Sequence, residues 1–151
     1  MADIVDRQTR SRMMAGITGK DTKPELQIRK ALHALGYRYR LHAKDLQGRP
    51  DIILPKYRAA IFVNGCFWHG HDCHLFKMPK TRTEFWQKKI EGNTIRDKLA
   101  RKTLASQSWR VLVIWECALK GKTRLGLEKT ISQITSWLSS GSNNLEIRGT
   151  G

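Results

Sequence analysis

Residues 64–74 read NGCFWHGHDCH and follow directly on the apolar run at 59–63. This short stretch holds two of the three cysteines of the chain and three of its five histidines. Thiolate sulfur and imidazole nitrogen are the ligands that zinc prefers. The spacing Cys66-x4-His71-x-Cys73 places three of them on one loop, and Cys117, after the apolar run at 111–115, can complete a tetrahedral site. Three buried, reduced thiols with incidental histidines are the alternative interpretation.

His69 and His74 are histidines of this loop that the predicted zinc site does not use. A histidine held rigidly beside such a site can transfer a proton near neutral pH, whereas the alternative for His69 is a loop side chain that faces solvent. Phe67 and Trp68 lie between a predicted ligand and this candidate base. They form either a small hydrophobic plug within the loop or a wedge that is presented to a binding partner.

The chain carries a large excess of positive charge. Its 28 Lys and Arg residues against 13 Asp and Glu give a net charge of +15 and a pI near 10.3. This excess predicts a polyanionic partner, most often nucleic acid, although ribosomal and membrane-surface proteins share the property. The stretch 77–102, which follows the histidine-rich loop, is itself strongly basic.

Length and composition exclude several classes of protein. A chain of 151 residues forms one domain with a core of its own, and its apolar runs are too short to cross a membrane. Residues 1–16 lack the apolar segment of a signal peptide. An odd, clustered set of cysteines argues against a secreted disulfide framework. We therefore expect a cytoplasmic protein with reduced cysteines and no membrane association.

The pattern of apolar and turn-forming residues predicts alternating helices and strands. A helix begins within residues 21–25, DTKPE, which supply a capping side chain and place Pro24 in the first turn, and it ends at Gly36. The predicted strands are 37–41, 51–54, 59–63 and 111–115, of which the second and third form a hairpin and the last is buried. Further helices are predicted at about 83–106 and over the apolar face formed by Leu127, Ile131, Ile134 and Leu138. This order indicates an α/β domain over residues 1–139, with a mixed sheet flanked by helices, followed by a loose C-terminal tail at 140–151.

The predicted helix at 83–106 has an unusual face. Residues 81–84, TRTE, match a capping box, which predicts where the helix starts. The residues that share one face by helical spacing are Trp86, Lys89, Ile90, Asn93 and Asp97. A face that packs on a core would not contain lysine, asparagine and aspartate. A solvated face with one stray tryptophan is the alternative.

Asp51 begins a predicted strand directly after Pro50, and the chain reaches Val63 and Asn64 one hairpin later. A carboxylate beside backbone carbonyls of an adjoining strand suits Mg²⁺, which keeps most of its waters and takes few protein ligands. The Pro-Asp pair resembles the first half of the PD-(D/E)xK nuclease core. The second half, an acid-x-Lys on the next strand, is absent, and Phe62-Val63-Asn64 occupies its place.

Several of these motifs together resemble the very short patch repair (Vsr) endonuclease family. The residues that carry the resemblance are Glu25, GRPD at 48–51, GCFWHGHDC at 65–73, LFKMPKTRTEFW at 75–86, Arg96-Asp97 and VIWECAL at 113–119. The resemblance spans about residues 1–121. It implies a Mg²⁺-dependent endonuclease that nicks DNA on the 5′ side of the thymine in a T·G mismatch left by deamination of 5-methylcytosine. It also implies a PD-(D/E)xK-like fold that carries a structural zinc.

The resemblance further implies roles for individual residues. The zinc ligands that it implies are Cys66, His71, Cys73 and Cys117. Mg²⁺ is held by Asp51 and the backbone carbonyl of Val63, so a second acid on the next strand is not required. His69 is the proton-transfer group that activates the attacking water, Asp97 orients it, and Glu25 acts on metal-bound water.

The implied DNA contacts lie mainly in the loop and the long helix. The residues of the implied wedge are Phe67, Trp68 and Trp86, with Met14 of the N-terminal segment 1–20 inserted from the other side, and Lys89 and Asn93 face the mismatch. Unstacking by apolar wedges costs least at a mismatch, which contributes to selectivity. Asn64 stands where family members commonly have a histidine, and we expect it to contact a phosphate without a charge. Gly70 and Asp72 interrupt the run of histidines that many members show in the loop.

Three hypotheses describe the function. The first is a monomeric, mismatch-directed endonuclease that nicks double-stranded DNA in the bacterial cytoplasm, at the nucleoid, and can be coupled to other repair proteins. The second is a zinc-stabilised protein that binds DNA without cutting it, and the third is a related nuclease used in restriction. The set Asp51, His69 and Asp97 favours a nuclease over a binding protein, because a binding module has no use for a carboxylate–histidine pair beside a Mg²⁺ site.

Overall fold

A mixed sheet of five strands, in the order β1-β2-β3-β4-β5, forms the centre of the molecule. The computed structural model describes residues 22–150 of the chain. The strands are β1 (Arg40–Leu41), β2 (Ile52–Leu54), β3 (Ala59–Asn64), β4 (Arg110–Trp115) and β5 (Leu145–Ile147), and the helices in this range are α1 (Lys23–Ala34), α2 (Thr83–Ser106) and α3 (Leu127–Ser140). The predicted α/β class with a mixed sheet is therefore confirmed.

The strand directions place the ends of β3 and β4 side by side. β1, β2 and β3 are antiparallel neighbours, whereas β3, β4 and β5 run parallel. Asn64, the last residue of β3, lies opposite Trp115, the last residue of β4. The cysteine-rich loop after β3 and the turn that carries Cys117 after β4 therefore leave the sheet at the same edge.

Helices cover both faces of the sheet, so that its central strands are buried on both sides. Along β4, Leu112 and Ile114 join a cluster with residues of α1 and α3, whereas Val111 and Val113 join a second cluster with Leu104 of α2. This alternation follows from the pleat of a strand, which turns successive side chains to opposite faces. The prediction that 111–115 is a buried central strand is confirmed, and its continuous apolar run reflects burial on both faces.

The C-terminal residues do not form the loose tail that was predicted for 140–151. Residues 145–147 form β5, which pairs with β4, and Ile147 is only 1% exposed. Gly141 caps α3 in a left-handed conformation with φ of 76°, which turns the chain back toward the sheet. The prediction of a loose tail is wrong for these residues because a short segment with weak periodicity is stabilised by pairing with a distant strand.

The helix starts follow the predictions in one case and depart from them in another. The capping side chain predicted within residues 21–25 is that of Thr22, whose Oγ1 accepts a hydrogen bond from the backbone N–H of Glu25 at 3.4 Å. α2 has the predicted bounds, but Arg82 occupies its cap position in the left-handed conformation and no side chain caps it. Thr83 instead donates to the carbonyl of Pro79 at 2.9 Å. The capping-box prediction, which requires Thr81 at the cap, is therefore wrong, because the helix begins one residue later and Arg82 takes that position.

The first strand is shorter than predicted, with two residues in place of the range 37–41. Tyr39 lies just before it, and its hydroxyl donates to the carbonyl of Arg29 at 2.9 Å, which ties this segment to α1 instead of to the sheet. Within residues 22–150, no helix combines the length and the apolar character needed to span a bilayer.

Candidate functional site

Four predicted metal ligands come together at the edge of the sheet. We call Cys66, His71, Cys73 and Cys117 the cysteine cluster. The Sγ atoms of Cys66 and Cys117 lie 3.5 and 3.6 Å from Nδ1 of His71, and the ligand atoms of all four side chains lie within 4.8 Å of one another. A 3₁₀ turn at 116–118, directly after β4, brings Cys117 to the loop. This arrangement can hold one metal ion.

Burial in the cysteine cluster favours neutral side chains when no cation is bound. It raises the pKa of the Cys66 and Cys117 thiols, whose residues are 0% and 1% exposed. It also lowers the pKa of His71. A bound cation reverses the preference of the thiols, because its positive charge stabilises the thiolate form.

β5 and the residues that follow it help to enclose the cysteine cluster. The backbone N–H of Gly149 donates to Sγ of Cys117 at 3.3 Å. Arg148 donates to the carboxylate and to the backbone carbonyl of Asp72 at 2.7 and 3.0 Å, which fixes the loop. The ring of His71 stacks on Trp115 with ring centroids 4.0 Å apart. His74, the last histidine of the loop, lies beside Thr123 and is not part of the cluster.

His69 and Asp97 form a close pair between the loop and α2. Nδ1 of His69 lies 2.5 Å from Oδ2 of Asp97, and each side chain is 26% exposed. Asn93 and Thr94 of α2 hold the loop backbone, because they donate to the carbonyls of Trp68 and His69 at 2.8 and 3.5 Å. Asp97 engages Nδ1, so Nε2 is the ring atom available for proton exchange with a substrate. The alternative that His69 simply faces solvent does not fit this geometry.

Asp51 and Glu25 form an acid pair at the start of β2. The backbone N–H of Val63 donates to Oδ2 of Asp51 at 2.7 Å. Oε2 of Glu25, a residue only 1% exposed, accepts from Arg29 at 3.0 Å and lies 2.7 Å from Nε2 of His42. Burial raises the pKa of Asp51 to about 7, the Val63 hydrogen bond opposes this effect, and the charge of Glu25 adds to it. Two adjacent carboxylates in a buried place favour a bound cation.

His42 and Arg29 belong to this site, and sequence reasoning missed both. The ligand atoms of Glu25, His42 and Asp51 lie within 4.8 Å of one another. His42 reaches the site because its N–H pairs with the carbonyl of Asp51 at 3.0 Å, beyond the end of β1. The pairing of a two-residue strand leaves no periodic signal in the sequence. Arg29 was predictable in part, since it follows Glu25 by one helical turn.

Phe67, Trp68 and Trp86 form a group that we call the aromatic trio. Their ring centroids are 5.2 Å apart for Phe67–Trp68, 5.4 Å for Phe67–Trp86 and 5.7 Å for Trp68–Trp86. All three residues are half-buried. The trio therefore combines the mutual contacts of a plug with the exposure that a wedge requires.

The polar face of α2 packs on the loop at 65–74. Besides the contacts of Asn93 and Asp97, Ile90 is 6% exposed and lies against Gly70, where an added Cβ would be 2.8 Å from its Cγ2 atom. Gly70 has φ of +61°, so backbone conformation and space both require glycine there. Lys89 on the same face is exposed. The alternative of a solvated face is therefore wrong.

A cleft of about 730 Å³ lies beside His69 and two members of the aromatic trio, Phe67 and Trp68. Its lining includes Lys23, Val63, Asn64, Trp68, His69 and Lys120. Val63 connects the cleft to the acid pair through its hydrogen bond with Asp51, and Asn64 forms part of the wall at the end of β3, where it is 7% exposed. Met14 and the rest of segment 1–20, which were predicted to contact DNA, lie outside the described residues.

Comparison with known proteins gives consistent similarities. A family model described as DNA mismatch endonuclease Vsr matches residues 2–75. The DNA mismatch endonuclease Vsr of Escherichia coli (strain K12) is 44% identical over 138 residues, 91% of this chain and 88% of that protein. The Type II nicking enzyme V.XorIIP of Xanthomonas oryzae pv. oryzae is 46% identical over 119 residues, 79% of this chain and 88% of that protein. The Type II nicking enzyme V.NmeAIP of Neisseria meningitidis is 44% identical over 122 residues, 81% of this chain and 87% of that protein.

A cleft is lined by His69 of the histidine–aspartate pair and by Val63, which binds the acid pair, in a strongly basic chain. Together with these relatives, this arrangement defines a nuclease. The chain belongs to the Vsr family of DNA mismatch endonucleases. The predicted resemblance to this family and the prediction that the protein is an enzyme of the nuclease class are both confirmed.

Proposed function

We propose that this protein is a Mg²⁺-dependent endonuclease that recognises T·G mismatches in double-stranded DNA and cleaves the phosphodiester on the 5′ side of the mismatched thymine. The mismatches arise by deamination of 5-methylcytosine, and the nick initiates very short patch repair. The observation that carries this proposal is the His69–Asp97 pair, of which His69 lines the same cleft as Trp68 and as Val63, the residue that binds Asp51. A protein that only binds DNA has no use for this pair.

The acid pair suits a divalent cation. Asp51 and the backbone carbonyl of Val63 would hold it, in keeping with the PD-(D/E)xK-like arrangement of the β2–β3 hairpin that we propose. The cation supplies positive charge that offsets the charge developing on the phosphate. Glu25, whose position is fixed by Arg29, would accept a hydrogen bond from a water of the hydrated ion.

The remaining chemistry is proton transfer and phosphate binding by side chains that line the cleft. His69 takes the proton of the attacking water through Nε2 while Asp97 orients the ring and stabilises its charged form. Asn64, at the end of β3, donates a hydrogen bond to a phosphate oxygen. These residues act on the phosphate and on water, so they contribute to rate more than to recognition.

The cysteine cluster suits a structural zinc. With Zn–S of about 2.3 Å and Zn–N of about 2.0 Å, a tetrahedral site separates sulfur and nitrogen by about 3.5 Å. The separations from His71 Nδ1 to the sulfurs of Cys66 and Cys117 are 3.5 and 3.6 Å. The donor set is complete without water, as in structural and not catalytic zinc sites. Cys66, His71, Cys73 and Cys117 would therefore be the ligands.

The aromatic trio would be the wedge that enters the base stack at the mismatch. Lys89 and Asn93 of α2 would face the mismatched bases, and Met14 would insert from the other side. An apolar wedge costs a few kcal/mol of unstacking, and this cost is smallest where pairing is already weak. The trio thus provides a physical basis for preferring T·G over matched DNA.

A nicking assay with duplexes labelled on each strand tests the proposal. With Mg²⁺ present, a T·G duplex should be cut once, on the thymine strand, and chelation of the cation should stop the reaction. A matched duplex should remain intact. Cleavage of the matched duplex would instead support the third hypothesis, a nuclease used in restriction, which the words "Type II" in the names of two relatives make a specific alternative.

A further inference from the structure

His42 lies at the acid pair, although the proposed mechanism does not use it. Its Nε2 atom is 2.7 Å from Oε2 of Glu25, and the ligand atoms of Glu25, His42 and Asp51 lie within 4.8 Å of one another. The His42 side chain is 19% exposed, so it is neither a core residue nor a side chain directed wholly into solvent. Two carboxylates and one imidazole thus form a compact set.

The backbone fixes His42 in this place. Its N–H donates to the carbonyl of Asp51 at 3.0 Å, directly beyond the Leu41–Ile52 pair of β1 and β2. His42 has φ of 48°, in the left-handed region that non-glycine residues seldom adopt. Such conformations persist where the surrounding structure imposes them, and they cluster at functional sites.

An imidazole changes which cations the site prefers. Mg²⁺ strongly prefers oxygen ligands and gives up its waters reluctantly. Transition-metal ions accept nitrogen readily, and their affinity for mixed nitrogen and oxygen sites rises from Mn²⁺ through Co²⁺ to Ni²⁺. A nitrogen ligand beside Asp51 therefore favours transition-metal ions over Mg²⁺, and among them Mn²⁺ also suits the carboxylate and carbonyl oxygens proposed for this site.

We propose that His42 is a ligand of the divalent cation at Asp51 and shifts the preference of this site from Mg²⁺ toward Mn²⁺. The inference rests on the proposed function, which places a cation at Asp51. On binding, Nε2 would offer its lone pair to the ion in place of the Glu25 oxygen, with the ring proton on Nδ1. Glu25 keeps the hydrogen bond from Arg29 at 3.0 Å, so this exchange does not leave a buried carboxylate without a donor.

The test measures cation binding to the zinc-loaded protein without DNA. Wild type, His42→Gln and His33→Gln are titrated with Mn²⁺ and separately with Mg²⁺, and the bound Mn²⁺ is analysed by pulsed EPR for coupling to imidazole nitrogen. The glutamine at position 42 can still donate to Glu25, which separates a ligand role from a positioning role. His33 is an exposed residue in the last turn of α1 and provides the same substitution away from the site.

We expect wild type and His33→Gln to show nitrogen coupling, and His42→Gln to lose it. The Mn²⁺ affinity of His42→Gln should fall about 10-fold or more, while its Mg²⁺ affinity changes much less. An equal loss for both cations, or nitrogen coupling that persists in His42→Gln, would overturn the inference. Absence of nitrogen coupling in the wild type would overturn it as well, even if the variant did not fold.

Asp51→Asn separates this inference from the proposed function. If Asp51→Asn binds both cations like wild type, the cation is not at Asp51 and both proposals fail. If Asp51→Asn abolishes cation binding while His42→Gln has no effect, only the histidine ligand is rejected.

Discussion

Replacement of Trp68 by alanine tests whether the aromatic trio enters the DNA. In the free protein the Trp68 ring contacts Phe67 and Trp86 edge to face, at 5.2 and 5.7 Å. Each such contact is worth about 0.5–1.5 kcal/mol beyond the burial of area, so losing both should lower the free energy of unfolding by about 1–3 kcal/mol in addition to the cost of the lost burial. If the ring also stacks on bases, the free energy of mismatch binding should separately weaken by about 1–3 kcal/mol. This is a factor of about 5 to 150 in affinity.

The assay compares the affinities for T·G and matched duplexes without divalent cations, so that no strand is cut. Lysine contacts to phosphates persist in the variant, so binding of matched DNA should change little and the preference for T·G should shrink. Trp109→Ala is the matched control. Trp109 is half-buried, and Cζ of Arg58 lies 4.1 Å from the centroid of its ring. Trp109 directly precedes β4, so it lies at the opposite end of that strand from the loop. This control should lower the melting temperature and leave the preference for T·G unchanged.

The result that would refute the reasoning is a Trp68→Ala protein that behaves like Trp109→Ala. A lower melting temperature with undiminished discrimination would mean that the aromatic trio is only a hydrophobic plug of the loop. Selectivity for the mismatch would then have to come from α2 or from the N-terminal segment.

Three further predictions concern catalysis, the metal centre and pH. Asp51→Asn and His69→Ala should each slow nicking by about 100-fold or more while mismatch binding stays nearly intact, because both residues act on phosphate and water; near-normal single-turnover rates for the His69 variant would remove it from the mechanism. Cys117→Ser should lose zinc and lower the melting temperature together, and elemental analysis that finds no zinc in folded wild-type protein would contradict the assignment. Without divalent cations, folded Asp51 keeps its proton up to a pKa of about 7, against 3.8 as its ordinary value, so its contribution to the free energy of unfolding falls as pH rises from about 4 to about 7. Asp51→Asn should lack this part of the pH dependence, and a difference in melting temperature between the two proteins that stays constant over that range would show that the carboxyl is not protonated.

Features that depend on residues close in the chain could be predicted from the sequence. The bounds of α2, the β2–β3 hairpin and the ligand spacing on the loop are each decided within a short stretch. Cys117 could be placed because a buried strand ends just before it, and neighbouring parallel strands end at the same edge of a sheet. The pairing of His69 with Asp97 came only from the family resemblance, since helical spacing cannot tell which partner a polar face contacts.

Features that depend on strand register could not be predicted. β5 contains only three residues, and its stability comes from pairing with β4. His42 reaches the acid pair through the register of β1, a strand of two residues that no periodic pattern reveals. The cap of α2 was mispredicted because Arg82, in a left-handed conformation that the local motif does not reveal, takes the cap position in place of Thr81.

The cysteine cluster joins the place where the chain leaves β3 to the place just after it completes β4. Almost everything between these points, including α2, is an excursion from the sheet, and within this helix only Ile90, Ala100 and Leu104 are buried. The segment that contains α2 is connected at one end to β3 and at the other to β4, and the cysteine cluster lies where these strands end. The outer surface of α2 can therefore accumulate substitutions without requiring the sheet to repack. Under the proposed mechanism, in which α2 faces the mismatched bases, substitutions on this surface can alter recognition faster than they alter the chemistry at Asp51.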